Sequence, residues 1–258
     1  MADKEKWQEL IDIMARLRGE GGCPWDRQQD HHSLKRYLLE EAYEVLDAID
    51  AGDDAAFCDE LGDVLLQIVF HAQIAAEQGR FTIDDVVAAI SAKMIRRHPH
   101  IFGEASAENA EQVLTMWEEI KAKEKNSDGK SNRGLMKLNE NLPALMLAQK
   151  AQEKAARVGF DWDDISGPRT KLAEELAELD AAQTAEERTA ELGDVLFSIV
   201  NMARFLDIDA EDALRRCVRS FIGRCDYMDK VIAERGQSWL QLDLAELDQI
   251  WDEAKERQ

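Results

Sequence analysis

The sequence has few of the residues that interrupt helices. Its 258 residues include only four prolines and fourteen glycines, and both residue types are unfavourable in a helix interior. No segment alternates polar and apolar residues over the length of a strand. Apolar residues instead recur every three or four positions, most clearly over residues 37–49. These patterns predict an all-α protein.

Cysteines and basic residues are also scarce. None of the four cysteines lies in a C-x-x-C pair, and in a chain of this length so few cysteines indicate reduced core or surface thiols in a cytoplasmic protein. Lys and Arg total 32 against 53 Asp and Glu, for a net charge of −21. Because nucleic-acid polymers are bound mainly through cationic surfaces, we expect no polynucleotide partner. A small anionic substrate stays compatible with this charge, since a bound metal ion reverses the local field.

Long apolar runs are missing as well. No stretch approaches 18 consecutive apolar residues, and the charged first residues lead directly into an amphipathic helix pattern. We therefore expect neither a membrane span nor a signal peptide.

The apolar period predicts five helices in each half of the chain. Their ranges are 3–18, 33–51, 53–78, 82–97 and 107–125, followed by 143–157, 168–183, 186–206, 209–235 and 243–257. Residues 126–134 are polar, contain glycine and show no periodicity, which is typical of a linker. The sequence thus predicts one domain over 1–125 and a second over 135–258.

The two halves are copies of each other. The segment ELGDVL at residues 60–65 recurs, residue for residue, at 191–196, and Trp25-Asp26 recurs as Trp162-Asp163. Trp117 is likewise matched by Trp251. Several anchors in the same order at a nearly constant offset indicate a tandem duplication.

Each repeat carries the pattern E-E-x-x-E followed by E-x-x-D. The residues are Glu40, Glu41, Glu44, Glu60 and Asp63 in the first repeat and Glu174, Glu175, Glu178, Glu191 and Asp194 in the second. Side chains three or four positions apart share a helix face, so two antiparallel helices would bring these carboxylates together. An all-oxygen ligand set suits Mg²⁺, with Mn²⁺ as the alternative. A helical di-iron site is excluded, because none of the five histidines follows an acidic residue by three positions.

Cationic and aromatic residues supply candidates for binding phosphate and base. Those singled out are Lys93, Arg96, Arg97, Trp117, Lys121, Asn201, Arg224, Trp251 and Lys255. The spacing W-x-x-x-K occurs in both repeats and places an indole and an ammonium group on one helix face. For each residue taken singly, a place in the core or on the solvated surface remains open.

With these motifs in place, the sequence resembles the MazG-type nucleoside triphosphate pyrophosphohydrolases. The resemblance covers nearly the whole chain and is carried by the carboxylate signature together with GCPWD at 22–26, RRHPHIF at 96–102 and VGFDW at 158–162. It implies a homodimer whose chains each hold two all-α MazG-like helical-bundle domains in tandem. It further implies hydrolysis of NTPs and dNTPs to monophosphate and pyrophosphate, as a house-cleaning enzyme of the nucleotide pool.

The resemblance also implies roles for the acidic residues. Metal binding would belong to Glu41, Glu44, Glu60 and Asp63 and to Glu175, Glu178, Glu191 and Asp194. A glutamate among Glu40, Glu41, Glu174 and Glu175 would orient or deprotonate the attacking water.

One departure from the family pattern leaves the active repeat open. The second repeat has Val218 and Ser220 where similar proteins carry Asn and Lys, and the first has Phe70 where the second has Asn201. Two other functions remain as alternatives: a narrower pyrophosphatase acting on one nucleotide such as dUTP or dCTP, and a catalytically silent helical protein that senses nucleotides or binds partners.

Overall fold

The protein is described by a computed structural model over residues 2–127 and 138–257. Within these ranges all regular structure is helical, so the predicted all-α fold is confirmed. Contacts between residues divide the chain into two compact units, 1–129 and 130–258. Most of the predicted linker lies outside the described residues, although its first two residues belong to a helix that ends at Ser127.

The described residues of the first unit, 2–127, form seven helices. They are α1 (Ala2–Arg18), α2 (Pro24–Gln28), α3 (Lys35–Ala51), α4 (Asp54–Glu77), α5 (Ile83–Arg97), α6 (Pro99–Phe102) and α7 (Ala110–Ser127). Helices α3 and α4 pack along each other, α1 packs against α4, and α5 contacts α4, α6 and α7. The short α2 and α6 each begin at a proline, which suits the first helical position. They are too short to show an apolar period, so sequence periodicity did not predict them.

A tight turn joins α3 to α4. Gly52 has a left-handed backbone with φ of 66°, a conformation that glycine adopts without steric strain. Asp53 then caps α4 by accepting hydrogen bonds from the backbone N–H groups of Ala55 and Ala56. Because so short a connection makes the two helices antiparallel neighbours, residues equally far from Gly52 on either side lie opposite each other.

The second unit repeats this hairpin. Its helices are α8 (Ala144–Ala156), α9 (Ser166–Ala181), α10 (Ala185–Phe205), α11 (Ala210–Glu234) and α12 (Leu244–Lys255), with a short 3₁₀ helix at Trp239–Gln241. Thr184 and Glu187 form a capping box at the start of α10. Helix α10 packs on α8 and α9, while α11 contacts α8 and α12. Among the described helices, none is long and apolar enough to cross a membrane.

Each unit has its own buried cluster of apolar side chains. In the first, Phe70 on α4 is only 4% exposed and packs with Met14, Leu34 and Ile74. In the second, Met228, Ile232 and Ile250 are buried between α11 and α12. Phe70, the residue of α4 that aligns with Asn201 of α10, thus belongs to the core of the first unit.

Candidate active site

The α3–α4 hairpin gathers the acidic residues of the first repeat. Carboxylate oxygens of Glu41, Glu60 and Asp63 lie within 4.8 Å of one another, and the carboxylate of Glu44 neighbours those of Glu41 and Glu60. Burial raises the pKa of Glu41 above its usual range, and the hydrogen bond to Glu44 and the charge of Asp63 raise it further. The same kind of environment, partial burial first and then neighbouring carboxylates, raises the pKa of Glu60.

The α9–α10 hairpin builds a matching cluster around Glu175. Its carboxylate belongs to two groups of close oxygens, one with Glu174 and Glu178 and the other with Glu191 and Asp194. Glu175 is 4% exposed. A hydrogen bond to Glu175, followed by burial, raises the pKa of Glu178. A buried carboxylate surrounded by others favours a bound cation.

Lys171 provides a cation at this second cluster. Its Nζ lies 2.8 Å from Glu174 Oε1 and 2.6 Å from Glu175 Oε1. These ion pairs raise the pKa of Lys171, because the hydrogen-bonded carboxylates favour its charged form. Sequence analysis missed Lys171, although its spacing of three and four residues from the two glutamates was a usable signal. The first repeat has Tyr37 at the aligned position.

The donor chemistry of both clusters fits a hard divalent metal ion. All the grouped ligand atoms are carboxylate oxygens, the ligands that Mg²⁺ and Mn²⁺ prefer. Neither cluster contains histidine or cysteine, so a zinc-like ligand set is not present in them.

A cavity of about 460 Å³ adjoins the second cluster. Glu175, Asp194 and Lys171 line one part of it, and aromatic side chains form much of the remaining wall. The full lining is Ala151, Gln152, Ala155, Phe160, Asp161, Trp162, Pro168, Lys171, Glu175, Asp194, Phe197, Ser198, Asn201 and Arg204. Apolar walls with a few polar groups beside charged residues are typical of a small-molecule site.

The first repeat has a buried aromatic side chain at the position of Asn201. Phe70 takes the place of Asn201 and is buried in the core. The guanidinium of Arg18 lies 5.3 Å from the centre of the Phe70 ring. Arg18 is 7% exposed and pairs with Glu77 at 2.8 Å, and it also donates to the backbone carbonyls of Asp26 and Gln29. The residue that aligns with Asn201 is thus packed under Arg18 in the first repeat, whereas Asn201 itself lines a cavity.

The predicted cation and aromatic residues of the first repeat form a separate group. Lys121 Nζ lies 3.8 Å from the centre of the Trp117 ring, and the Arg97 guanidinium lies 5.9 Å from it. Arg96 and Arg97 both bond to Glu124, each at 2.7 Å. These hydrogen bonds lower the pKa of Glu124 to about 2. Phosphate binding by either arginine would therefore compete with Glu124.

The second repeat also places an arginine beside its tryptophan, Trp251, but the lysine there has another partner. The Arg224 guanidinium is 5.2 Å from the centre of the Trp251 ring, and the Phe221 ring is also at 5.2 Å. Lys255 pairs with Asp252 at 2.8 Å. Val218, which replaces the family asparagine, is 48% exposed on α11.

Comparison with known proteins identifies the same family that the acidic motifs of the sequence resemble. The family model for the MazG nucleotide pyrophosphohydrolase domain matches residues 29–102 and 169–228, the two segments that hold the hairpins. The chain belongs to the MazG nucleotide pyrophosphohydrolase family. The predicted resemblance and the tandem all-α architecture are thereby confirmed.

Named MazG proteins resemble this chain over nearly its full length. The nucleoside triphosphate pyrophosphohydrolase/pyrophosphatase MazG of Thermotoga maritima is 48% identical over 249 residues, covering 96% of this chain and 95% of the relative. A nucleoside triphosphate pyrophosphohydrolase of Escherichia coli K12 is 42% identical over 255 residues, covering 96% and 97%. One from Mycobacterium tuberculosis is 34% identical, covering 90% of this chain and 61% of the relative.

In this MazG chain the structure divides the predicted site residues into three sets. Nine of the ten acids, Glu174 among them, lie in the two carboxylate clusters, and Glu40 is exposed. Asn201 lines the cavity. Most of the predicted cations and both tryptophans form the groups around Trp117 and Trp251. The roles of all these residues stay predictions.

Proposed function

We propose that this MazG family hydrolase converts nucleoside triphosphates to monophosphate and pyrophosphate, and that its second repeat is the catalytic one. One observation carries the choice of repeat: the cavity of about 460 Å³ adjoins Glu175 and Asp194. A triphosphate at the carboxylates can thus place its nucleoside between apolar walls. The relatives named nucleoside triphosphate pyrophosphohydrolases support the reaction.

The four acids of the α9–α10 hairpin would hold the metal ion, which we propose to be Mg²⁺. When bound, the metal neutralises phosphate charge and polarises the phosphorus centre. Glu175, Glu178, Glu191 and Asp194 supply oxygen ligands, and Lys171 supplies a further positive charge beside them. In the reaction, water attacks the α-phosphorus, the bond to the bridging α–β oxygen breaks, and pyrophosphate leaves.

Glu174 is the proposed acceptor of the proton from the attacking water. Its carboxylate is 53% exposed, so it is open to solvent, and it is paired with Lys171 at the edge of the cluster. A carboxylate that is not needed as a metal ligand is free to orient or deprotonate a water. Glu40 occupies the same place in the first repeat and is also exposed.

We further propose a cytoplasmic homodimer. Exposed apolar side chains on the hairpin helices support self-association: Leu39 is 56% exposed, Leu61 46% and Leu192 50%. Large apolar side chains that stay exposed are typical of protein interfaces when they lie next to one another. The four free cysteines suit a reducing compartment.

Matched variants test both the reaction and the choice of repeat. Glu60→Gln and Glu191→Gln make the same change in the same six-residue segment. Pyrophosphate release from a panel of NTPs and dNTPs would be measured with and without Mg²⁺. We expect Glu191→Gln to lose at least about 100-fold in kcat/KM, because it removes a metal ligand while even residues behind the ligands contribute 10–100-fold. Glu60→Gln should stay close to wild type.

Any other result of this assay leads to a different conclusion about the active repeat or the reaction. If only Glu60→Gln is inactive, catalysis belongs to the first repeat and the cavity has another use. Turnover of a single nucleotide such as dUTP or dCTP would identify the narrower enzyme. A folded wild type that releases no pyrophosphate from any nucleotide with metal would refute the proposed reaction.

A further inference from the structure

Two amide side chains line the cavity of the second repeat, and the protein holds each in one orientation. Asn201 Oδ1 accepts hydrogen bonds from Arg204, from Nη2 at 2.8 Å and from Nε at 3.2 Å. Because a guanidinium has donors and no acceptor, the amide oxygen of Asn201 must face Arg204. Its Nδ2 group has no protein partner among the described residues and is left to the cavity.

Arg204 is itself held in place. It forms two hydrogen bonds to the carboxylate of Asp161, one of them at 2.8 Å, and lies 4.5 Å from the centre of the Phe205 ring. These bonds from Arg204 lower the pKa of Asp161, which keeps its carboxylate charged. The Asp161–Arg204 pair thus joins the VGFDW segment at 158–162 to α10 and fixes the donor orientation of Asn201.

The position of Asn201 matches the nucleoside end of a bound nucleotide. Asn201 follows Asp194 by seven residues on α10, which is two helical turns along the same face, or roughly 10 Å. Ser198 lies between them and is buried in the cavity wall. With phosphates at Asp194, a base reaching Asn201 would lie among Phe160, Trp162 and Phe197.

The second amide has a matching constraint. Gln152 Nε2 donates to the backbone carbonyl of Phe197 at 2.8 Å. Its Oε1 is buried and has no hydrogen-bond partner. The cavity wall therefore presents amide groups whose orientation does not depend on the ligand.

We propose that Asn201, held by Arg204 as a hydrogen-bond donor toward the cavity, recognises the nucleobase by donating to a ring nitrogen or carbonyl oxygen. This inference rests on the proposed function and adds its base-recognition residue. Every natural base carries such an acceptor, so a single donor is compatible with several substrates. Phe70 at the aligned position cannot donate a hydrogen bond, so the first repeat could not recognise a base in this way.

Ligand binding tests this without relying on turnover. Calorimetry would measure the affinity of AMP and of inorganic pyrophosphate, in the presence of Mg²⁺, for wild type, Asn201→Leu and Asn201→Asp. We expect AMP binding to weaken about tenfold in Asn201→Leu, the usual effect of losing a buried hydrogen bond to a ligand. It should weaken more in Asn201→Asp, whose carboxylate can only accept. Pyrophosphate, which has no base, should bind all three alike.

Asn109→Asp in the first repeat is the matched control. It makes the same chemical change at an exposed position where the side chain only accepts a hydrogen bond, from Gln112 N. AMP binding should be unchanged there. Circular dichroism melting of each variant establishes that it is folded. Equal AMP affinity in wild type, Asn201→Leu and Asn201→Asp would overturn the proposal.

Arg204 is a positioning residue, and its variants test the orientation of Asn201. Arg204→Leu should raise KM for NTPs with little change in kcat, because base binding is lost while the phosphates still bind. Arg204→Lys, which keeps one donor for Asn201 Oδ1, should recover part of the loss. An equal fall in kcat for both variants would contradict the positioning role.

The base-recognition proposal and the proposed reaction fail in different ways. Pyrophosphate release with the same KM in wild type and Asn201→Leu would retain the reaction and refute recognition by Asn201. AMP binding that depends on Asn201, without pyrophosphate release, would retain recognition and refute the reaction.

Discussion

Replacing Arg18 with methionine should destabilise the first unit and leave nucleotide hydrolysis unchanged. Arg18 is 7% exposed and joins α1 to Glu77 at the end of α4. It also donates to the backbone carbonyl of Gln29 at 3.2 Å and covers Phe70. One buried side chain therefore holds α1, the loop after it and α4 together.

The size of the effect follows from what loses a partner. The partly buried carbonyls of Asp26 and Gln29 lose their charged donor, although the Asp26 carbonyl still accepts from the Gln29 N–H. A buried acceptor left unsatisfied costs roughly 1–3 kcal/mol. Glu77 is 35% exposed, so water can solvate its carboxylate after the change. Methionine keeps most of the apolar contact with Phe70. We expect a loss of about 1–3 kcal/mol in the free energy of unfolding.

Urea unfolding followed by circular dichroism measures this loss, with Arg96→Met as the control. Arg96 is also ion-paired, to Glu124, but its side chain is 54% exposed, and exposed pairs contribute little. Arg96→Met should therefore unfold close to wild type. If Arg18→Met is no less stable than Arg96→Met, the contacts of Arg18 do not stabilise the unit as argued. A raised KM in Arg18→Met would contradict the assignment of catalysis to the second repeat.

The pH dependence gives an independent check. The hydrogen bonds from Arg18 lower the pKa of Glu77, so the pair contributes stability above the ordinary glutamate pKa of about 4.3. That contribution is lost as the pH falls through the lowered pKa, because the folded state then takes up a proton. The difference between wild type and Arg18→Met should accordingly narrow below about pH 4.

Two further predictions concern the clusters and the cavity wall. Mg²⁺ should raise the thermal midpoint of unfolding more at about pH 7 than at about pH 5. The pKa values of Glu41 and Glu60 are raised, so at the lower pH protons relieve the repulsion between the carboxylates and compete with the cation. Scanning calorimetry with and without Mg²⁺ measures the rise, and a rise that is the same at both pH values would refute this prediction. A Cβ on Gly167 would lie 2.5 Å from the Trp162 ring, whereas one on Gly193 meets nothing within 4 Å. Gly167→Ala should therefore cost about 1–3 kcal/mol in stability and raise KM, while Gly193→Ala should fold at least as well as wild type. Melting and steady-state assays measure both, and a Gly193→Ala variant that is less stable than Gly167→Ala or has the higher KM would contradict this prediction.

The carboxylate pairing shows how far sequence alone could go. Glu41 and Asp63 are each eleven residues from Gly52, and Glu44 and Glu60 are each eight. A glycine turn between two periodic segments predicts an antiparallel hairpin, and equal distances from the turn place the four acids opposite one another. Helical period, turn chemistry and repetition are local properties of the chain, so they could be read directly from it.

The contacts of Lys171 lay within reach of the same reasoning but were not found. It precedes Glu175 by four residues on one helix, an ion-pair spacing that the sequence displays. The contact between Arg18 and Glu77 in the first repeat could not be predicted from spacing within one helix. Arg18 and Glu77 are far apart in the chain and meet only because α1 packs against α4.

The sequence by itself determined the helical fold, the duplication and the two acidic clusters, because each depends on spacing within a helix or across one short turn. Tertiary structure alone decided that Asn201 lines a cavity and that Phe70 is packed into a core. Phe70 and Asn201 occupy aligned positions in nearly identical motifs, yet one is buried in a core and the other lines a cavity. That difference arises from the side chains that neighbouring helices bring against α4 and α10, and spacing along the chain does not encode it.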